Sequence, residues 1–443
     1  MRRRDLLLAG AALSLQACSG SSGARPSLGT PPPSVSPSFS APQPPSPDAV
    51  PKSFAQASEW PKRRVSRSIT ALHRDHLCAT LLRRADMNDP LEFPAVVDLN
   101  THRTRILMLD DQGEFSTAEA DLAAIEAGLS KDQPEFGKLL FCGPAVIDDE
   151  AAYLTVYTPK EKPKDYVAAH LVKVRHSDGQ VEASAILMED LYYPYREARI
   201  TLSFSPDRSS LLVASRSDQL TNRETDFFGF RLSAKDLSVE FDARDVRPPG
   251  SRRMWQYGAA IRFLSEGTTH PMILLANGAE VDVTSMAGRF VVGEWCLYNQ
   301  KDTDLVFQRN LTTGEEQQVS GLVPDDILPF GDFTPWTERS SFVSMHSLLL
   351  SPRCVVWTPG NPTAVVPWTA DERPLPSLAT VFGNVLFSGH HQHDDGAVTL
   401  RSLDTGEVIA TAASVPSYGN WGVSAWGLVA GGVFLPANEW IPR

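Results

Sequence analysis

Between Thr101 and Thr405 the chain repeats one unit: a short apolar run, a tight turn holding Gly, Asn or Asp, and a second apolar run. The turns are Leu99-Asn100-Thr101, Ser177-Asp178-Gly179, Ala234-Lys235-Asp236, Asn277-Gly278, Thr313-Gly314, Gly360-Asn361 and Asp404-Thr405-Gly406, on average about 51 residues apart. The runs are rich in Val, Leu, Phe and Thr, which reads as strand almost throughout. A unit of this size covers only part of its apolar surface alone, and stacking units around an axis covers the rest and protects the edges. The expected fold is therefore all-β, a β-propeller of seven blades, or of six if Met254 to Ser285 is an elaborated part of one larger blade. The run Trp421 to Leu435 has no outer strands after it and is expected to close the ring beside Leu77 to Arg83. One helix is predicted, Ser116 to Gly128, capped by Ser116 or Thr117, stopped by Gly128 and lying as a flap over the ring.

Two segments carry a resemblance. Phe204-Ser205-Pro206-Asp207-Arg208, followed by the apolar run Leu211-Leu212-Val213-Ala214, resembles the F-S-P-D-G signature of WD-like repeats in TolB-type bacterial propellers, with Arg208 where glycine is usual. Leu403-Asp404-Thr405-Gly406-Glu407-Val408-Ile409 is similar to an outer-strand turn of quinoprotein-like blades. In the first family the Ser-Pro-Asp turn joins the two innermost strands of a blade. These matches span two blades and speak to architecture.

The start of the chain reads differently. Arg2 to Arg4 precede an apolar run, Leu6 to Leu15, too short to span a bilayer, which makes residues 1–17 a signal peptide. Leu15-Gln16-Ala17-Cys18 resembles a bacterial lipobox that places lipid on Cys18, and Arg3-Arg4 resembles a twin-arginine export signal, the alternative being an ordinary arginine-rich secretory start. Residues 18–65, with prolines at 31, 32, 33, 37, 42, 44, 45, 47 and 51, read as a tether that cannot build a core, and residues 66–443 as the propeller. The chain is then expected at the extracytoplasmic face of a membrane, held by the lipid alone.

Residues 1–17 carry three arginines and one aspartate, so removing them from 41 basic and 53 acidic residues leaves 38 against 52. That balance argues against a nucleic-acid partner, which needs a dense basic face. Cys78, Cys142, Cys296 and Cys354 lack the local spacing of a metal knuckle, and buried free thiols are favoured over disulfides.

No hydrolase elbow, phosphate loop, dinucleotide fingerprint or zinc-protease helix occurs. His391 and His393, two apart, are a candidate metal pair, although the surrounding Asp394-Asp395-Gly396 reads equally as a solvated turn. The connections between blades are aromatic: Tyr192, Tyr193 and Tyr195; Trp255 and Tyr257; Phe333 and Trp336; Tyr418 and Trp421. They are the candidate ligand face for a protein, peptide or glycan, or else plugs for the seams between blades. The expected function is a non-enzymatic binding or scaffold lipoprotein. The alternative is a propeller enzyme, quinoprotein-dehydrogenase-like, lactonase-like or lyase-like, with an axial active site; no cofactor can be named.

Overall fold

Strands that are apolar on both faces must be covered on both faces. In Ala151–Pro159 every residue from Ala151 to Tyr157 is buried, and Tyr166–Arg175 is nearly as occluded. The structure, a computed structural model, describes residues 43–55, 65–83, 91–101, 103–120, 140–160, 166–192, 200–215, 227–251, 253–265, 267–327, 342–346, 353–368, 378–389, 398–412, 421–430 and 433–441. These residues form eight antiparallel sheets. In chain order they are sheet 1 (65–119, five strands), sheets 2 (141–192), 3 (200–242), 4 (253–281) and 5 (286–318), each of four, sheet 6 (342–368, three), sheet 7 (378–412, four), and sheet 8 (421–441, three strands joined by Val50–Phe54).

The sheets stack in a cycle. Ala71, Cys78 and Leu107 of sheet 1 share a core with Leu154, Val156 and Val172 of sheet 2. A second core joins sheets 2 and 3, a third joins 3, 4 and 5, and a fourth joins 5 and 6. Phe342–His346 of sheet 6 contacts Leu378–Phe382 of sheet 7, and a further core ties sheets 7 and 8 back to Ile69, Leu72 and Leu77 of sheet 1. Contacts also run between first strands, from Trp421–Ser424 to Val65–His73, then to Phe141–Ile147 and Ile200–Phe204. First strands therefore line the axis and last strands lie outermost, which is a β-propeller.

The count of seven units is not confirmed: there are eight sheets. Each of the seven turns falls in a sheet of its own, six of them between third and fourth strands, while Gly360-Asn361 joins Arg353–Trp357 to Val365–Trp368. Sheet 8 has no such turn because its fourth strand comes from the other end of the chain. Val50–Phe54 pairs antiparallel with Val433–Ile441, Val50 opposite Ile441 and Phe54 opposite Ala437, helped by a Lys52–Glu439 ion pair of 3.1 Å.

Closure therefore differs from the expected pairing beside Leu77 to Arg83. The strand His76–Arg83 has both edges occupied, by Val65–His73 and Leu91–Asp98, so a C-terminal strand has no free backbone groups to meet there. Trp421–Ser424 instead packs on sheet 1 through side chains. Val50–Phe54, assigned by composition to the tether, belongs to the propeller.

The predicted helix is also corrected. Phe115–Glu119 is the fifth strand of sheet 1, with Thr117 opposite Leu107, and residues 121–139 lie outside the described ones. Thr117 Oγ1 further donates to Gly179 O of sheet 2. Cross-strand and inter-sheet partners outweigh a helix cap worth about 1 kcal/mol. Cys78, Cys142 and Cys296 form no disulfide, and burial pushes the Cys296 thiol up to about 12.

Candidate functional site

Turns between first and second strands, and between third and fourth, emerge on one face of each sheet. In sheet 1 the first such turn is His73-Arg74-Asp75-His76, with Arg74 at φ 50°. Asp75 accepts from His76 Nδ1 at 2.8 Å and from Asn100 Nδ2 at 2.6 Å, Asn100 belonging to the next turn of the same sheet. Burial alone would raise Asp75, but the His76 bond and charge outweigh it and hold the carboxyl below its ordinary range.

Sheet 2 meets this turn with its own. Asp149 accepts from His73 Nε2 at 2.7 Å and pairs with Arg74 Nη1 at 2.8 Å, so its pKa is also lowered against the opposing effect of burial. His176, from the third turn of sheet 2, stacks on His76 with ring centroids 3.8 Å apart and donates Nε2–H to Asp148 O at 3.1 Å. Burial, then the neighbouring His76, pulls His176 down to about 4.

Sheet 3 continues the line. Its Ser205-Pro206-Asp207-Arg208 turn joins Ile200–Phe204 to Ser210–Ser215, the two innermost strands, as the TolB-type resemblance implied. Asp207 accepts from Ser205 Oγ at 2.6 Å and Ser209 Oγ at 2.8 Å, which lowers its pKa. Arg208 stands where glycine is usual because the position needs φ 59°, a conformation that costs a side-chain-bearing residue about 1 kcal/mol. Its guanidinium lies 5.0 Å over the Phe204 ring, and its charge acts on Asp149 of sheet 2. Tyr153 OH stitches the sheets, donating to Ala234 O at 3.0 Å.

Beyond Asp207 lies a polar notch of about 400 Å³ between sheets 3 and 4, lined by Ser205, Asp207, Ser210, Arg231, Glu240 and Asn277. Glu240 accepts from Ser210 Oγ at 2.7 Å and Arg231 Nε at 3.1 Å, and Arg231 Nη1 donates to Ala276 O. One face thus carries an arc of mixed charge across three sheets, Arg74, Asp75, Asp149, Arg208, Asp207, Arg231 and Glu240, which ends at the notch bordered by Asn277 of sheet 4. Its side chains hold one another in fixed positions, the preorganisation that polar recognition requires.

The residues expected from sequence are placed elsewhere or lie outside the description. Tyr257 is 7 % exposed and Trp421 4 % exposed, both inside seam cores, while Trp255 is half-buried against the same core as Tyr257. These three act as seam residues. The backbone of Tyr192 ends Val181–Tyr192, and Cys18, Tyr193, Tyr195, Phe333, Trp336, Tyr418, His391 and His393 lie outside the described residues. Among the described residues no group of three His, Cys, Asp or Glu side chains could hold a metal ion. Sequence reading missed the arc because hairpin turns are polar in any β protein; the two histidines flanking Arg74-Asp75 were the available signal.

No family model and no curated protein matches the chain. Among solved structures it is similar to the β-propeller domain of the Trilobed protease from Pyrococcus furiosus (10 % identity, 79 % of this chain and 95 % of that one, TM-score 0.39). It is likewise similar to the dihydro-heme d1 dehydrogenase NirN (10 %, 82 % and 76 %, 0.37) and to an oligogalacturonate lyase in complex with manganese (11 %, 71 % and 98 %, 0.30). The propeller assignment rests on the eight sheets and their cyclic packing, independently of these likenesses.

Proposed function

We propose that the chain is an exported lipoprotein, anchored by lipid on Cys18, whose propeller binds an extracytoplasmic protein or peptide without transforming it. The observation that supports a binding role is the arc: titratable side chains from successive sheets are paired with one another across a broad face, and beside them lies an open polar notch of mixed charge. Such a surface suits a partner bearing both basic and acidic groups. The anchor rests on the resemblance of Leu15-Gln16-Ala17-Cys18 to a lipobox, and the proline-rich stretch after it would hold the binding face away from the lipid.

One arrangement favours the enzyme reading. Asp75 fixes the His76 ring through Nδ1 and leaves Nε2 as a proton acceptor, the geometry of an oriented general base. One face of the His76 ring is packed against the His176 ring.

A single set of proteins tests both halves of the proposal. Cys18→Ala should move the protein from the detergent to the aqueous phase on partitioning; unchanged partitioning removes the anchor. The soluble Cys18→Ala protein, cross-linked to the envelope fraction, should capture a discrete partner whose yield falls at least tenfold with Arg208→Glu. Equal capture by both would remove the arc from the binding face.

A further inference from the structure

Arg289 lies in Met286–Val292, the innermost strand of sheet 5, and is 8 % exposed. Its guanidinium turns back on its own strand, donating from Nη2 to Met286 O at 2.6 Å and from Nε to Ala287 O at 3.1 Å. Both acceptors are neutral carbonyls. The remaining nitrogen, Nη1, is buried and has no partner among the described residues. The Tyr257 ring lies 5.3 Å from the guanidinium, and among the described residues no carboxylate is one of the groups whose charge acts on it. A second guanidinium acts on it with the same sign: Arg262, half-buried in Ala260–Ser265 of sheet 4, donates Nε to His270 O at 2.9 Å and repels Arg289.

An arginine in this position is costly. A lysine could lose its proton on burial, but a guanidinium cannot, so the charge stays and needs a counter-charge. Neutral carbonyls and one aromatic face supply part of it. Purely structural packing at this seam would be met better by a methionine or leucine, since replacing buried charge with apolar volume is often neutral or stabilising. Two guanidinium groups from adjacent sheets, one of them with a buried Nη1 that is unpartnered among the described residues, form the donor half of an anion site.

We propose that Arg289, with Arg262 and beneath Tyr257, binds a small oxyanion, a carboxylate or phosphate group, in the seam between sheets 4 and 5. The free Nη1–H of Arg289 donates to one oxygen, and Arg262 balances the charge from the other sheet. The site is separate from the charged arc, so it holds or fails independently of the binding role proposed above.

The test uses the full chain in a chloride buffer, with sodium acetate or inorganic phosphate added at constant ionic strength. Titration calorimetry and thermal melts should show saturable binding and a matching rise in melting temperature with at least one of them, and the preferred salt tells carboxylate from phosphate. Arg289→Met should abolish the response and melt no lower than the parent in chloride alone. Should Arg289→Met fail to fold, Arg262→Gln, which leaves the buried group in place, should weaken binding at least fivefold. Exposed Arg103→Gln is the control and should bind as the parent does. Equal stabilisation of parent and Arg289→Met would show a general salt effect, and absence of saturable binding to either anion would show a structural arginine; each result overturns the proposal.

Discussion

His176 shows how a single residue ties stability to pH. Its Nε2–H is directed at Asp148 O, its Nδ1 is buried without a donor, and its ring lies flat on His76, so a second proton would enter a desolvated site beside another histidine. Its pKa therefore falls to about 4 in the folded chain, while in the unfolded chain it returns to about 6.5. Between those values the unfolded state binds the proton and the folded state does not, so stability falls as pH drops through this window. Asp75 and Asp149 act in a separate range: their pKa values are lowered, so their contribution is intact above about 4 and is lost only at more acidic pH. His176→Phe keeps the flat ring and removes the titration. Melting temperature measured from pH 7 to pH 4 should decline in the parent by the equivalent of about 1 to 2 kcal/mol, after allowance for partial exposure, and run flatter in the variant. Identical slopes would place the acid sensitivity elsewhere. None of this was legible beforehand, because stacking between turns of two sheets leaves no local pattern. Arg208 was legible in part: its departure from glycine was visible, whereas its role over Phe204 and toward Asp149 required the fold.

At the scale of an element, Val50–Phe54 is a strand whose composition resembles its surroundings more than its structure does. Pro51 counts against a strand in the interior of a sheet, but this strand is outermost, where a missing N–H leaves no ladder bond unmade. Val50 and Phe54 are buried, and the alternation that puts them inward spans too few residues to stand out against the prolines before it. The reverse error occurred at Ser116, where a plausible cap and an alanine-rich run outweighed the β-favouring Phe115 and Thr117 until their partners on Thr104–Leu109 were known. A chain beginning at Val65 loses the Val50 and Phe54 side chains from the core, about 3 to 5 kcal/mol together, and bares the edge of Val433–Ile441. A chain beginning at Pro45 keeps both. The first should melt well below the second and aggregate more readily; equal melts would reduce Val50–Phe54 to an appendage.

For the whole molecule, the repeat was legible down to its turns, and the missing eighth unit has a topological cause. A sheet is visible in sequence when a tight turn leads into one of its outer strands, and in sheet 8 that turn is replaced by the full circuit of the ring. The ends of the circuit are nonetheless placed as a turn would place them. Ile441 sits opposite Val50 at the close of an antiparallel pair, so a short loop from one to the other would make sheet 8 an ordinary meander like sheets 2 to 5. This gives a direct test of ring closure by circular permutation, which is tolerated where chain ends are adjacent and the new break falls in a surface connection. Joining Ile441 to Val50 through a few glycine and serine residues, without residues 1–49 and 442–443, and opening the chain between Ala120 and Leu140 interrupts none of the described strands. The permuted protein should stay soluble with a cooperative melt, and cutting instead within Tyr166–Arg175, a central strand buried on both faces, should abolish folding. If the permuted protein were insoluble while the native order folds, sheet 8 would depend on its free ends, and equivalence among the eight sheets would be lost.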